Sequence, residues 1–282
     1  MCDREEARWR KEISRDERTD EHARKQQNAE KVELGHGWYI PGRRLVIAVE
    51  TFSYHLIPAP VASVMARLLS SSALRRVEGL RHAECLLPMS LGHSVAKPGR
   101  YHLGHLVMFA FWDTETHLER FLASPPYRIF ERASWHIRLR FYRRWGRYAG
   151  LDEATPYPDV ADPTGPTVGV TFARLKLAET FRFARWGKPV EAQVRDHPGV
   201  VRAAVAFRPL RTFSTFSIWK TEHDMLAMVR GRTASVDGTA HRQAMKERVR
   251  QDFHHQFTTM RFVPLSEHGQ WPEPLHLLGP AR

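Results

Sequence analysis

Apolar and polar positions follow one another in the same order twice along the chain. The residues FAFWDTE at 109–115 return as FSIWKTE at 216–222. In both copies an apolar segment ends in Trp, and a Thr then stands where the first turn of a helix would be capped. A Gly-x-aromatic triplet follows each copy, at 146–148 and at 269–271. A repeat of about 110 to 120 residues indicates a duplicated domain rather than a solenoid unit.

Within each copy, two-residue alternation predicts strands and helical periodicity predicts helices, in the order βαββαβ. The predicted strands span residues 45–52, 82–87, 102–112 and 135–142 in the first half, and 168–175, 200–207, 212–219 and 255–263 in the second. The predicted helices span residues 58–77 and 115–122, with a short helix ending near 132, and then 178–186, 222–229 and 240–251.

A sheet that carries helices on one face must bury its other face against something apolar. We therefore predict an α+β fold in which two tandem ferredoxin-like βαββαβ repeats pack as a dimeric α+β barrel within one chain. A pocket is expected between sheet and helices or inside the barrel.

The same patterns divide the chain into segments. Residues 1–36 carry dense charge of both signs and no apolar core, so we predict a solvated helix or a disordered extension. The first ferredoxin-like half is expected over 37–151, a Pro-rich linker over 152–166, and the second half over 167–282.

Composition narrows the class of protein. The hydrophobic fraction of 42% is sufficient for a buried core, and no apolar run is long enough to predict an integral membrane segment. Cys2 and Cys85 make neither a disulfide framework nor a metal-ligand set. These features predict a cytoplasmic protein.

The net charge of +12 is compatible with nucleic acid, an anionic membrane surface or an anionic ligand. The densest basic run lies at 138–147, where alternation predicts the solvated side of an edge strand. An RNA-binding module of similar layout would need a Lys/Arg-Gly-Phe/Tyr core on its third strand, and residues 101–112 do not contain one. We therefore predict no nucleic-acid partner.

The two halves differ most around residues 230–239, where the second half carries a longer Gly/Ser/Thr-rich loop. Directly after it, His241 lies on the apolar side of the predicted helix, together with Ala244 and Met245. A neutral imidazole there can coordinate a metal or a haem iron, or can be a core histidine satisfied by the backbone. We therefore place the candidate site in the second half.

Several segments of the second half resemble the C-terminal part of the spheroidene monooxygenase family. The resemblance covers roughly residues 40–275, with Trp112 and Ser124 similar in the first half. Its motifs are His241-x-x-Ala244, Arg248, Asp252-Phe253, Phe257, Arg261-Phe262, Gly269-Gln270-Trp271 and the strand Thr215-Phe216-Ser217-Ile218-Trp219.

This resemblance implies oxygen insertion into a carotenoid by an enzyme of secondary metabolism with a b-type haem. Related barrel haem proteins, such as chlorite dismutases and dye-decolourising peroxidases, hold iron through a His in the C-terminal half, and His241 fits that role. Arg248, Phe216 and Trp219 are the further cofactor-binding candidates; Phe216 and Trp219 can line or support the pocket or be plain core.

One departure from the family concerns His254 and His255, which stand where the family commonly has acidic residues. They are alternative iron ligands, although adjacent strand residues point to opposite faces and at most one faces inward. The changed pocket favours a different apolar or aromatic substrate.

The predicted function is therefore a haem-dependent monooxygenase that uses molecular oxygen or peroxide on a small molecule. Arg208 and Arg211 flank a turn, where they can pair with a haem propionate or polarise oxygen, or can face solvent. No nucleotide-binding loop is present, so oxygen chemistry would need an external electron donor. The sequence leaves open whether the chain forms a homodimer. The alternatives are a cofactor-free oxygenase or isomerase and a non-catalytic ligand-binding barrel.

Overall fold

The fold is seen in a computed structural model that describes residues 49–69, 74–93, 97–125, 127, 134–209, 212–231 and 239–272. The predicted N-terminal extension, the first half of the predicted strand 45–52, most of the short helix ending near 132 and Arg211 lie outside the described residues.

Eight antiparallel strands close a barrel, in the order β1-β3-β2-β6-β7-β5-β8-β4. The strands are β1 Thr51–Pro58, β2 Leu80–Met89, β3 His105–Trp112, β4 Trp135–Arg147, β5 Thr167–Leu175, β6 Val200–Arg208, β7 Thr212–Trp219 and β8 His254–His268. Each half supplies four neighbouring strands, and the halves join at the β2–β6 and β4–β8 pairs. The predicted α+β barrel of two ferredoxin-like repeats is confirmed.

The described part of the chain has five α-helices, which lie between the strands in the sequence. They are α1 Val61–Leu69, α2 Glu115–Leu122, α3 Thr180–Arg195, α4 Glu222–Arg230 and α5 Ala240–Arg250. The repeated Trp-x-Thr-Glu motif has a local cause, because Thr114 and Thr221 each cap the following helix by accepting a backbone N–H. None of the described helices is long and apolar enough to cross a membrane.

Some predicted bounds were wrong. The first strand runs from Thr51 to Pro58, later than predicted, and α1 is shorter than the helix predicted over 58–77. Helix α3 continues to Arg195, beyond the end predicted at residue 186 and past Gly187 and Pro189, because Glu191 and Gln193 are buried and hydrogen-bonded. Strands β4 and β8 are longer than predicted because they pair with each other.

The barrel interior is packed with aromatic rings. Phe52 stacks on Phe111 at 4.5 Å between ring centres, and Tyr54 stacks on Phe216 at 4.0 Å. Both residues of each pair are almost fully buried. Because these rings fill the interior, the space between sheet and helices remains as the predicted location of a pocket.

The basic run does not lie on an edge strand. Strand β4 pairs with β1 on one side and with β8 on the other. Arg138, predicted to face solvent, instead donates hydrogen bonds to Glu115 at 2.6 Å and Glu119 at 3.2 Å on α2. The prediction was wrong because closing the barrel leaves β4 with two neighbours.

Candidate functional site

The four strands of each half form one side of the barrel, and the two halves can be compared position by position through their strand register. Thr51 lies opposite Trp112 in the first half, and Thr167 lies opposite Trp219 in the second. Counting from these pairs, Ser53 and His55 correspond to Gly169 and Thr171, while Ala110 and Met108 correspond to Ser217 and Thr215. All of these side chains belong to the face of the sheet that points away from the barrel interior.

In the first half this outward face is filled. Ser53, His55, Met108 and Ala110 are at most 2% exposed. The His55 ring hydrogen-bonds through Nε2 to Ser53 at 2.8 Å and through Nδ1 to the Tyr127 hydroxyl at 3.1 Å. The helices of the first half thus close over their sheet without leaving room for a ligand.

In the second half the same positions hold small residues that stay half-buried, and β8 adds Thr259 beside Thr171. The hydroxyls of Thr171 and Thr259 lie 3.2 Å apart. We call the space above these residues the second-half gap; its floor is formed by Gly169, Thr171, Thr215, Ser217 and Thr259. Small side chains under helices leave volume that larger residues fill in the other repeat.

Helix α3 covers this face but leaves it open in the middle. Near one end of the helix the Phe183 ring packs edge-on against Phe213 of β7 at 4.9 Å, and further along Val194 packs beside Trp219. Gly187 lies between them on the same side of the helix. A Cβ built on Gly187 meets no atom of the described residues within 4 Å. The helix side of the gap therefore has room as well.

Helix α4 closes another part of the face. The sulfur of Met225 comes within 3.4 Å of a Cβ built on Gly169, and Met225 and Met228 pack with the buried Trp219. Met225 of α4 therefore lies over Gly169 at a distance where a Cβ would make ordinary van der Waals contact.

His241 lies where α3, α4 and α5 meet. Its Nδ1 is 3.2 Å from the carbonyl oxygen of Val229, at the end of α4. A carbonyl only accepts, so Nδ1 carries the proton and Nε2 keeps its lone pair. No hydrogen-bond partner for Nε2 lies among the described residues. Burial lowers the pKa of the imidazole, and the hydrogen bond to Val229 partly opposes this. A neutral ring with a fixed tautomer and a spare lone pair is what a metal-ligating histidine requires.

Gln193 holds this arrangement together and was missed from the sequence. Its buried side chain donates to the carbonyl oxygen of Met228 at 3.0 Å and accepts from the backbone N–H of His241 at 2.9 Å. One amide thus fixes the end of α4 and the start of α5 to α3. The available signal was a polar residue on the covered side of a long helix.

Of the other predicted cofactor contacts, Trp219 and Phe216 lie on opposite faces of β7. Trp219 is fully buried on the helix side, where its indole N–H donates to Ser217 at 2.8 Å. Phe216 points into the barrel and stacks on Tyr54. Phe216 therefore supports the floor from beneath, whereas Trp219 borders it.

Arg208 is not brought to His241. Its Nε donates to the carbonyl oxygen of Leu68 at 2.7 Å, and its Nη1 lies 3.9 Å from Glu84. Both partners belong to the first half, so Arg208 stands at the β2–β6 junction.

The two histidines predicted as alternative iron ligands differ in burial. His254 is buried among the rings of Phe183, Phe253 and Phe257, whereas His255 is exposed. Arg248, on α5, lies 3.6 Å from the carboxylate of Asp252.

Among the described residues, no group of three or more His, Cys, Asp and Glu side chains could hold a metal ion. Haem iron takes a single protein ligand from a proximal histidine, and the neutral His241 ring with its fixed tautomer meets that requirement.

Comparison with known proteins supports the fold. No protein-family model and no curated protein sequence matches the chain. An aldoxime dehydratase solved in complex with butyraldoxime aligns over 76% of this chain and 79% of its own, at 9% identity and a TM-score of 0.50. A proposed monooxygenase from Fusobacterium nucleatum covers 80% and 96%, at 8% identity and a TM-score of 0.34.

A heme-degrading enzyme from Listeria monocytogenes covers 75% of this chain and 98% of its own, at 10% identity and a TM-score of 0.25. The structures similar to this chain thus include proposed monooxygenases and other enzymes. At these identities the likeness to the dehydratase shows a shared fold.

Proposed function

We propose that the chain is a haem-dependent monooxygenase, similar to the spheroidene monooxygenase family, that acts on a flat apolar or aromatic molecule in the second-half gap. The observation that carries the proposal is the state of His241. Its Nδ1–H is given to a backbone carbonyl, and its Nε2 lone pair is left for another group. A proximal histidine holds haem iron in the same way.

The residues around His241 have definite tasks in this proposal. Gln193 and the Val229 carbonyl hold the imidazole in one orientation and one tautomer. The Thr171, Thr215 and Thr259 hydroxyls line the floor and can donate to an oxygen atom of a ligand. Trp219, Met225 and Met228 seal one end of the gap against water.

Haem bound in the gap would supply the activation of oxygen or peroxide, which these side chains do not provide by themselves. The contacts of Arg208 tie it to the first half, so the proposal gives it no direct part in the chemistry. An external electron donor is needed if oxygen is the oxidant.

The proposal is tested by absorption spectra of the chain reconstituted with haem, beside His241→Ala, His254→Ala and the exposed control His255→Ala. We expect a Soret band, at roughly 400 nm for protein-bound haem, that is lost in His241→Ala alone. Loss only in His254→Ala would move the ligand to β8. No band in the unaltered chain would contradict haem dependence and leave the gap as the site of a cofactor-free enzyme or a binding protein.

A further inference from the structure

A segment of the first half packs against the strands of the second half. Met89, the last residue of β2, is paired with Val205 of β6, and Val205 is paired with Thr215 in the floor of the second-half gap. Directly paired residues of antiparallel strands point to the same face. Met89 and Leu91 lie in one buried cluster with Val205. This segment of the first half therefore borders the gap on the side beyond β6.

A buried ion pair connects this segment to helix α3. Arg100 is 2% exposed, and its Nη2 donates to both carboxylate oxygens of Glu191 on α3, at 2.7 Å and 3.0 Å. Glu191 also accepts from the backbone N–H of Gly92 at 2.8 Å. Gly92 has a φ of +72°, in the left-handed region that favours glycine, so the sequence specifies the turn that presents this N–H. Charge-assisted hydrogen bonds, which are the stronger kind, thus hold the helix to the first half.

Two residues further along α3, Gln193 makes contacts on another side of the helix. Two positions in a helix are about 200° apart, so Glu191 and Gln193 point in nearly opposite directions. Gln193 donates to the Met228 carbonyl and accepts from the His241 N–H. Pro189, inside the same helix, cannot donate a backbone hydrogen bond. The position of these last turns of α3 therefore depends on side-chain contacts on both sides.

We infer that Arg100 is a positioning residue for the candidate site of the second half. Its ion pair with Glu191 fixes the last turns of α3. The same turns carry Gln193, which binds the backbone N–H of His241. The inference rests on the proposed function for the role of the His241 imidazole, whereas the contacts that place His241 do not depend on haem. The site then needs both halves of the chain, since Arg100 belongs to the first repeat and His241 to the second.

The backbone amide of His241 reports on these contacts without haem. His241 is the second residue of α5, so its N–H has no acceptor within the helix and depends on Gln193. Its protection from exchange with solvent therefore depends on the position of α3. Phe216 lies in the middle of β7, which is paired on both sides, so its amide exchanges through a larger opening of the barrel. The Phe216 amide thus measures stability in general, and the His241 amide measures the local arrangement.

The test is native-state hydrogen exchange of the full chain without haem, in Arg100→Gln and in Glu191→Gln. The second variant keeps the size of the side chain and an acceptor for the Gly92 N–H, so it guards against a failure of the first to fold. The control is Leu118→Ala, which creates a cavity at a fully buried position on α2 of the first half.

We expect both ion-pair variants to accelerate exchange at His241 by roughly tenfold or more, because breaking a buried ion pair removes much of the restraint on α3. Leu118→Ala should accelerate exchange at Phe216 and leave His241 unchanged. In a chain that already carries Gln193→Leu, Arg100→Gln should have no further effect on the His241 amide, since the connection is already broken. A His241 amide that neither ion-pair variant alters, or that Leu118→Ala accelerates equally, would overturn the inference.

Haem titration of the same variants separates this inference from the proposed function. If the unaltered chain binds haem, Arg100→Gln should bind it about tenfold more weakly than Leu118→Ala does, as is typical when a residue that orients a metal ligand is changed. Equal haem affinity in these two variants would also overturn the inference. A chain that binds no haem, yet shows the expected exchange at His241, would contradict the proposed function and support the role of Arg100.

Discussion

Thr171 occupies in the second sheet the position that His55 occupies in the first. The His55 ring is fully buried and hydrogen-bonded to Ser53 and Tyr127, whereas Thr171 is half-buried beside Thr259. One repeat has thus filled the layer between sheet and helices, and the other has kept it open.

The repeat also preserves an ion pair between the last strand and the first residue of a helix. Arg138 pairs with Glu115 at 2.6 Å, and Arg261 pairs with Glu222 at 2.7 Å. The side chains are 16% and 47% exposed in the first pair but only 9% and 8% in the second. The two pairs therefore form a natural comparison of an exposed and a buried ion pair.

We expect Glu222→Gln to destabilise the protein by about 3–5 kcal/mol, because it leaves the buried Arg261 without its carboxylate. The matched change Glu115→Gln should cost less than about 1 kcal/mol, since Arg138 is closer to solvent and keeps Glu119. Urea unfolding of both variants gives the two free energies. Equal losses would show that burial does not govern these pairs.

Gln193 should be important for stability as well as for the orientation of His241. In Gln193→Leu, the His241 N–H loses the side-chain oxygen that it donates to, while the Met228 carbonyl keeps only the Gly231 N–H as its donor. We expect the free energy of unfolding to fall by about 1–3 kcal/mol, mainly through the His241 N–H. The control is Gln243→Leu on α5, which removes an exposed hydrogen bond to Thr239 and should change unfolding by less than about 0.5 kcal/mol.

With haem bound, Gln193→Leu should also alter the Soret band more than the Gln243→Leu control does. An unchanged spectrum would restrict Gln193 to a structural role.

Acid should weaken the fold through the histidines of the first half. The His136 ring is stacked between His55 and His268, at 5.3 Å and 4.7 Å between ring centres. Burial, followed by the charges of His268 and Arg138, lowers the pKa of His136 to about 4. Burial and the neighbouring His136 lower the pKa of His55 well below its ordinary value.

Both folded-state pKa values lie below the ordinary value of about 6.5 that applies to the unfolded chain. The unfolded state therefore takes up protons first, and stability is lost as the pH falls below about 6.5. The free energy of unfolding falls by at most about 1.4 kcal/mol per pH unit for each histidine. The fall is smaller for His136, because solvent partly reaches its ring. We expect His136→Phe to make the loss between pH 6.5 and 4.5 shallower than in the unaltered protein. The control is His255→Phe, at an exposed position, which should lose stability as steeply as the unaltered protein. If His136→Phe lost stability equally steeply, the assignment would be refuted.

Much of the fold was predictable from the sequence, because alternation and capping act locally. Helix α2 and strand β7 begin and end where they were predicted, each fixed by the adjoining Trp-x-Thr-Glu motif. The extension of α3 past Pro189 depends on tertiary hydrogen bonds that Glu191 accepts from Arg100 and that Gln193 donates to Met228, and sequence periodicity cannot predict such contacts.

The site was predictable only in part. His241 was singled out from its helix face and the loop before it. The open floor could have been found by aligning the repeats, which places Thr171 and Thr215 against His55 and Met108. The pairing of β4 with β8, more than a hundred residues later in the chain, was not predictable, because local patterns do not encode that register.

The central claim is that the second-half gap is the ligand site, and filling it is the most direct test. Thr215→Met copies the Met108 of the first half onto the floor, and Gly187→Leu fills the same space from α3 while improving helix propensity by about 1 kcal/mol. Haem titration of both variants, beside the exposed control Lys220→Met, should show at least tenfold weaker binding in the two filled proteins with unchanged or higher melting temperatures. Haem bound equally well by the filled proteins and the control would contradict the account.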